Sequence, residues 1–410
     1  MVLDERPGGT VRTLQPKTPA VAVRLVDIDW LRVLAMLAIF VYHSARLFDT
    51  MEPWHVKSRE RLEWLTYPMA AGSQFVMPLF WVLSGISTYF ALGAHPAGTF
   101  VRRRLARLLV PVVTVGWLVL SPVQVYIEST TGQGYNAPPF RGTFWQFLPH
   151  YVTDGLYGFG GYFVWNALHL WYLVYLLLFS LASVPVFLWV RGPGSAPTRR
   201  LTGFLSRPAA VHLLALPAVL PEVFLPRSIP LLGWGEGGWR TGSFWVLLLL
   251  GYLIATDMRL RRTLERQRWV SLALATATLV PLGLLAAGMG SLAFGSPDFV
   301  WQMTLRTVNG WFCVAAVLGF GTRHLTRPTR LLAYAGPAVL PFYILHQPVI
   351  VVVGYVIRDW RLPALAEYAL VMAVVLSTCL LAYEYVIRRH PVMRVLFGLP
   401  AHPPRPEIPA

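Results

Sequence analysis

Two residues of one apolar stretch could do chemistry together. Arg32 and His43 stand eleven positions apart. Eleven residues make just over three helical turns, so both side chains leave the helix on the same side, about 16 Å apart along its axis. A guanidinium at one level can hold an anionic head group. An imidazole further along the same stripe can take or give a proton. This arrangement suits a donor whose charged part stays at the surface while its reactive end reaches inward. The alternative is packing alone, with Arg32 snorkelling to lipid head groups and His43 bonded to a neighbouring helix.

A basic group follows at Arg102, Arg103, Arg104 and Arg107. Four arginines in so short a run can grip phosphates with paired N–H donors, or anchor the chain against anionic lipid. His169, His212, Glu222, His346 and Glu384 also stand in or beside apolar runs, where ionisable groups are costly and therefore candidates for function. His169 and Trp171 open the run HLWYL, whose aromatics fit an interfacial belt as well as a site. His346 lies between Pro341 and Pro348, in a stretch expected to bend, which favours a structural hydrogen bond. Ser84–Gly85 allows close helix approach, so packing is preferred to catalysis for Ser84. Cys313 and Cys379 have neither metal nor disulfide spacing. The chain carries no metal-binding, nucleotide-binding or serine-hydrolase fingerprint in a supporting context.

The elements that must hold these residues follow from composition. Of 410 residues, 55% are hydrophobic and 13% charged, where soluble domains carry about 25% charged residues. Mean hydropathy is +0.53. Such a chain cannot coat a soluble surface, which excludes a soluble enzyme and equally a disordered or collagen-like chain. An all-α integral membrane protein remains. Ten apolar stretches, near 31–48, 69–92, 108–126, 164–190, 209–225, 240–256, 269–289, 304–321, 334–357 and 364–387, approach the length of a membrane-crossing helix. Pro217, Pro221 and Glu222 mark the fifth as a broken span. No stretch between them has room for a soluble domain.

The charge balance of +16 would suggest nucleic acid in a soluble protein, but here it follows the positive-inside rule, and no nucleic-acid partner is expected. With ten spans and an internal N-terminus, 24 of the 35 Lys and Arg fall on the cytoplasmic side and 10 on the other. The expected organisation is a cytoplasmic tail over 1–30, a polytopic domain over 31–390 and a cytoplasmic tail over 391–410. The Pro-containing, polar start is expected to be retained rather than cleaved as a signal peptide.

Asp29-Trp30-Leu31-Arg32-Val33-Leu34-Ala35 with Tyr42-His43 resembles the first helix of the acyltransferase 3 family, with its Arg/Lys-x10-His motif. Phe80 to Gly85 (FWVLSG), Arg104-Leu-Ala-Arg107, His169 to Leu173 and Tyr343-Ile-Leu-His346-Gln-Pro348 are similar to further family motifs, in family order over nearly the whole chain. Met77 to Phe80, Ser121 to Tyr126 and the HLWYL run resemble the branch that adds succinyl groups to periplasmic glucans. The resemblance implies a multi-pass O-acyltransferase of a bacterial inner membrane. Its co-substrate would be an acyl-CoA-type donor, with no resident cofactor, and its acceptor a carbohydrate hydroxyl at the outer face. Some members carry an added esterase-like domain, for which this chain has no counterpart. The acidic residue expected in the outer loop after the fifth span is matched loosely by Glu236, within Gly233 to Gly238.

On this basis His43 is expected to be a general base, with a transient acyl-His43 as the less favoured alternative. Arg32, Arg104 and Arg107 are expected to hold the donor phosphates, and Glu236 to orient His43 or the sugar. His169, Trp171 and His346 are expected to support substrate or structure. Trp145, Tyr157, Tyr162 and Trp165 could stack on sugar rings, although an interfacial belt explains them first. The rival expectation is a transporter or flippase of an anionic or lipid-linked molecule, which more often shows repeated halves; none is found.

Overall fold

Helices dominate a computed structural model that describes residues 25–133, 139–154, 168–233, 235–236, 238–288 and 292–402. Six helical segments are long and apolar enough to cross a membrane: Val26–Ala45, Glu63–Ala94, Ala97–Thr131, Pro297–His324, Arg330–Ile357 and Ala364–Ile387. They become eight if each of two bent pairs counts as one span. Leu168–Ala182 meets Val184–Arg191 at 49°, and Thr241–Thr256 meets Met258–Arg266 at 102°. Two shorter apolar helices, Ala210–Phe224 and Arg268–Gly283, complete the set. Each segment lies at one of the ten expected stretches. The expected boundaries were too narrow at the start: the first helix begins at Val26, ahead of the apolar run, because Asp27 and Asp29 suit the positive end of its dipole.

The elements that matter to the site are α1 (Val26–Ala45), α2 (Glu63–Ser73), α3 (Val76–Ala94), α4 (Ala97–Arg104) and α5 (Ser121–Thr131). Between α4 and α5 the chain winds as π-helix over Leu105–Leu109 and Val112–Leu120. Further along come α6 (Thr241–Thr256), α7 (Met258–Arg266), α8 (Pro297–His324) and α9 (Arg330–Ile357). Local chemistry sets their ends. Ser296 and Thr329 cap α8 and α9 by accepting the amides of Phe299 and Leu332, and the Asp257 carboxylate caps α7. Gly132, at φ +66°, closes α5 in the left-handed conformation. The fifth apolar stretch, expected to be broken at its prolines, instead runs on as one helical segment, 3₁₀-helix over Ala210–Ala215 and α-helix over Leu216–Phe224 with Pro217 in its first turn and Pro221 inside it. Among the described residues the only strands are β1 (Gly235–Glu236) and β2 (Trp239–Arg240), an antiparallel pair.

Pairwise packing builds the core. α3 lies against α6, α1 against α9, and α7 against α8. The α3–α6 contact is so close that a Cβ on Gly85 would run into the backbone of Leu248 and Tyr252, and one on Gly251 into the backbone of Val82. Small residues are what permit such approach where lipid supplies no hydrophobic drive between helices. Two buried carboxylates of the bundle are paired with arginines. Asp27 at the start of α1 accepts from Arg261 on α7 and from Thr322 on α8, at 3.2 Å for the latter. Glu222 accepts the backbone N–H of Arg240 at 2.7 Å and its guanidinium at 3.3 Å. This pairing explains Glu222 as a fastener between the fifth segment and the start of α6. Leu118, Val119, Phe224, Val280 and Leu365 stand exposed on the outside of the bundle, as lipid-facing side chains do.

Overpacking a tight core contact costs about 1–3 kcal/mol. Gly251→Val should therefore lower the melting temperature of the detergent-purified protein, while Gly283→Val, at a glycine with open space around it, should leave it unchanged.

Candidate active site

Helix α1 does what its spacing requires. Arg32 and Ile39 both line a cavity of about 410 Å³, and His43 is the next residue on that stripe, one turn beyond Ile39. The end of α4 and the π-turn after it bring Arg103, Arg104 and Arg107 to the same cavity. Arg32 contacts Asp29 at 3.3 Å. Arg103 donates to His95 Nε2 at 2.5 Å. Arg104 donates to the Thr88 hydroxyl, lies over the Phe100 ring, and has a buried Nε with no partner among the described residues. Four guanidinium groups thus share the cavity with one wall carboxylate, Asp29. Such an excess of fixed positive charge, rich in N–H donors, matches a phosphate-bearing molecule. Beyond the arginines the wall is mostly apolar, with a Ser84–Tyr172 hydroxyl pair at 2.5 Å.

The lining residues farthest from the arginines on each helix are Ile39 on α1, Met77 on α3 and Tyr343 on α9, and His43 is not part of the wall. An arm reaching from the arginines to the imidazole must pass this level. Beyond it, His43 Nδ1 lies 2.9 Å from Nε2 of His346 on α9, and the two rings are within 6° of parallel. His346 Nδ1 lies 2.7 Å from the Tyr343 carbonyl oxygen. Trp54 packs beside His43 with ring centroids 5.4 Å apart. His346, expected to support substrate or structure, is thus the hydrogen-bond partner of the candidate base. No sequence periodicity could show this, because 303 residues separate the two.

His169 takes a structural place. Its Nε2 donates to the Ile344 carbonyl at 2.9 Å, and its own carbonyl accepts from the Tyr343 hydroxyl. Trp171 is buried among Tyr172, Tyr175 and Phe244, inside the core rather than at a belt. Trp145 is exposed. Tyr157, Tyr162 and Trp165 lie outside the described residues. The Glu236 backbone pairs with Trp239 in the β1–β2 hairpin, and its side chain lies outside the described atoms.

A buried polar chain beside the histidine pair escaped the sequence reasoning. His55, in the segment joining α1 to α2, bonds the Glu128 carboxylate on α5. His55 Nε2 accepts from Gln347 at 2.7 Å, and Gln124 lies 3.5 Å from Gln347 and 3.4 Å from His169. Glu128 and Gln347 are each about 3% exposed. The available signals were the one-turn spacing of Gln124 and Glu128 at the end of the third apolar run and the polar neighbour of His346. The α1–α2 segment is pinned by Asp49, which accepts from Arg46 at 2.7 Å and from Lys57 at 2.6 Å. Burial brings the Lys57 ammonium down to about 8; the Asp49 hydrogen bond opposes the shift and the Arg46 guanidinium adds to it. Among the described residues no three His, Cys, Asp or Glu side chains converge as metal ligands.

Comparison with known proteins adds an independent line. A family described as "Acyltransferase domain" matches residues 25–384. "Glucans biosynthesis protein C" of Salmonella gallinarum is 24% identical over 396 residues, covering 92% of this chain and 95% of the relative. The protein of that name from Salmonella paratyphi B is 23% identical with the same coverage. No solved structure matches.

The Lys57 shift has a testable sign. Its folded value, about 8, lies below its ordinary 10.5. Between these values the unfolded chain holds the proton that the folded chain has released, so stability should rise with pH across that window. Thermal melting from pH 8 to 10.5 should show the rise, and Lys57→Met should remove it.

Proposed function

Because the chain belongs to the acyltransferase family that it matches over residues 25–384, and so is a membrane acyltransferase, we propose that it moves an acyl group from a cytoplasmic acyl-CoA-type thioester to a carbohydrate hydroxyl outside, with His43 as general base. The observation that carries this reading is the arginine-lined cavity whose α1 wall, Arg32 and Ile39, belongs to the helix stripe that continues to His43. The carbohydrate acceptor is suggested by relatives named for glucan biosynthesis. The proposed topology has ten spans with both ends cytoplasmic, as in a bacterial inner membrane, so that the arginine end of the cavity opens inside.

Arg32, Arg104 and Arg107 would hold the donor phosphates through charge-assisted hydrogen bonds. The uncharged arm would follow the apolar wall past Ile39 and Tyr343, bringing the thioester carbonyl to His43. An acceptor hydroxyl is a poor nucleophile until its proton is drawn away. His43 takes that proton as the oxygen attacks the carbonyl carbon. The C–S bond then breaks, the ester forms, and the departing thiolate receives the proton from His43 to leave as free thiol. Proton count and charge balance, and the base returns neutral.

The test is free-thiol release from acyl-CoA by purified protein supplied with glucan oligosaccharide. His43→Ala should reduce transfer by at least about 100-fold, the scale of general-base catalysis, while still binding donor. A wild-type rate would overturn the assignment. Arg107→Ala should raise the donor concentration needed for half-maximal rate by about 10-fold, since a charge-assisted hydrogen bond is worth about 1.5–3 kcal/mol; an unchanged dependence would remove Arg107 from the donor site. Ile39→Trp should keep donor capture and lose transfer, and unimpaired transfer would place the acyl arm elsewhere.

A further inference from the structure

We propose that His346 is a positioning residue that fixes which nitrogen of His43 is basic. The inference rests on the reading of His43 as the base, and begins from a backbone oxygen. The Tyr343 carbonyl, 2.7 Å from His346 Nδ1, can only accept, so that nitrogen carries the proton. A neutral His346 therefore presents a lone pair at Nε2. His43 Nδ1, 2.9 Å away, must be the donor to it. The proton of His43 is held on Nδ1, and its lone pair is left on Nε2. That nitrogen has no hydrogen-bond partner among the described residues, and the ring is only partly buried. In a neutral imidazole the tautomer is set by the hydrogen bond the other nitrogen makes, and this bond is made by α9.

The arrangement suits its location. A base that captures a proton becomes an imidazolium, which needs an acceptor on its far side. Catalytic triads use a buried carboxylate for this. Inside an apolar bundle an ionised carboxylate carries a desolvation cost of several kcal/mol unless it is paired. A neutral histidine anchored to a carbonyl orients the base and accepts from the imidazolium while adding no charge. The nearest buried carboxylate in the polar chain, Glu128, is engaged by His55. His346 is itself fully buried, so its ring is held by packing against Phe342 and Tyr343.

Two measurements on the full-length protein test the proposal. The first is the ¹⁵N spectrum of histidine-labelled protein in lipid bilayers, with the His43 signals identified by their loss in His43→Ala. Wild-type His43 should be protonated on Nδ1 and bare on Nε2, and a proton found on Nε2 in the resting protein would overturn the proposal. The second is a kinetic comparison of two substitutions. His346→Gln places an amide oxygen near the original Nε2 and should stay within about 10-fold of the wild-type turnover, whereas His346→Leu, of similar volume without an acceptor, should lose about 100-fold in turnover at unchanged donor KM. Equal impairment of the two variants, or full activity of His346→Leu, would contradict a positioning role. If His346→Leu does not fold, the wild-type spectrum still decides. Failure of the underlying reading looks different, because His43→Ala would then remain active whatever His346 does.

Discussion

A proton-bearing imidazole nitrogen inside an apolar helix bundle needs an acceptor, because an unpaired buried polar atom costs more than most packing contacts return. His43 meets that demand through another helix. Its bond to His346 joins α1 to α9, and the Tyr343 carbonyl completes the line. Much else in the region serves to keep this pair in register. His169 ties the start of its helix to the Ile344 carbonyl, and the Tyr343 hydroxyl reaches back to the His169 carbonyl. The α1–α2 segment, fastened by Asp49 between two cations, sets Trp54 against His43 and His55 against Glu128. These contacts come from four separate parts of the chain, so the position of one ring depends on the whole bundle.

The arginine cavity presents the opposite electrostatic problem. Its positive charge is left in excess rather than paired away, in contrast to Asp27–Arg261 and Glu222–Arg240, where buried charges meet a partner. Uncompensated cations beside an apolar wall are unfavourable until an anion arrives. The wall then continues without charge along Leu83, Leu173, Val339 and Leu340 toward Ile39 and Tyr343. A ligand that complements both parts has a multiply charged head and a long uncharged arm, which is the outline of the thioester donor proposed here.

How much of this could be read in the sequence depended on the range of the interaction. Features within one helix were legible: the Arg32–His43 stripe, the arginine group at residues 102–107, and the apolar stretches that became helices. Pro217 and Pro221 pointed to a break, yet the segment stays helical through both, because one proline falls in the first α-helical turn, where its missing N–H costs least. Features that join distant segments were not legible. His346 carried a local signal, its prolines, that pointed to bending rather than to His43. Glu128 and His55 stood at the edge of a span and in a connecting segment, where polar residues are ordinary. That the cavity wall includes Ile39 but not His43 is a property of side chains packed from several helices and has no sequence signature.

The most direct test of the account is where the acyl end of the donor comes to rest. A donor analogue with a photoreactive group at the tip of its acyl chain, bound to the protein in bilayers and irradiated, would mark its neighbours for peptide mapping. The account predicts adducts on the second half of α1 and on α9 around Tyr343 to His346, lost when excess unlabelled acyl-CoA is present. Adducts confined to the arginine end of the cavity, or to helices that do not border the histidine pair, would contradict it.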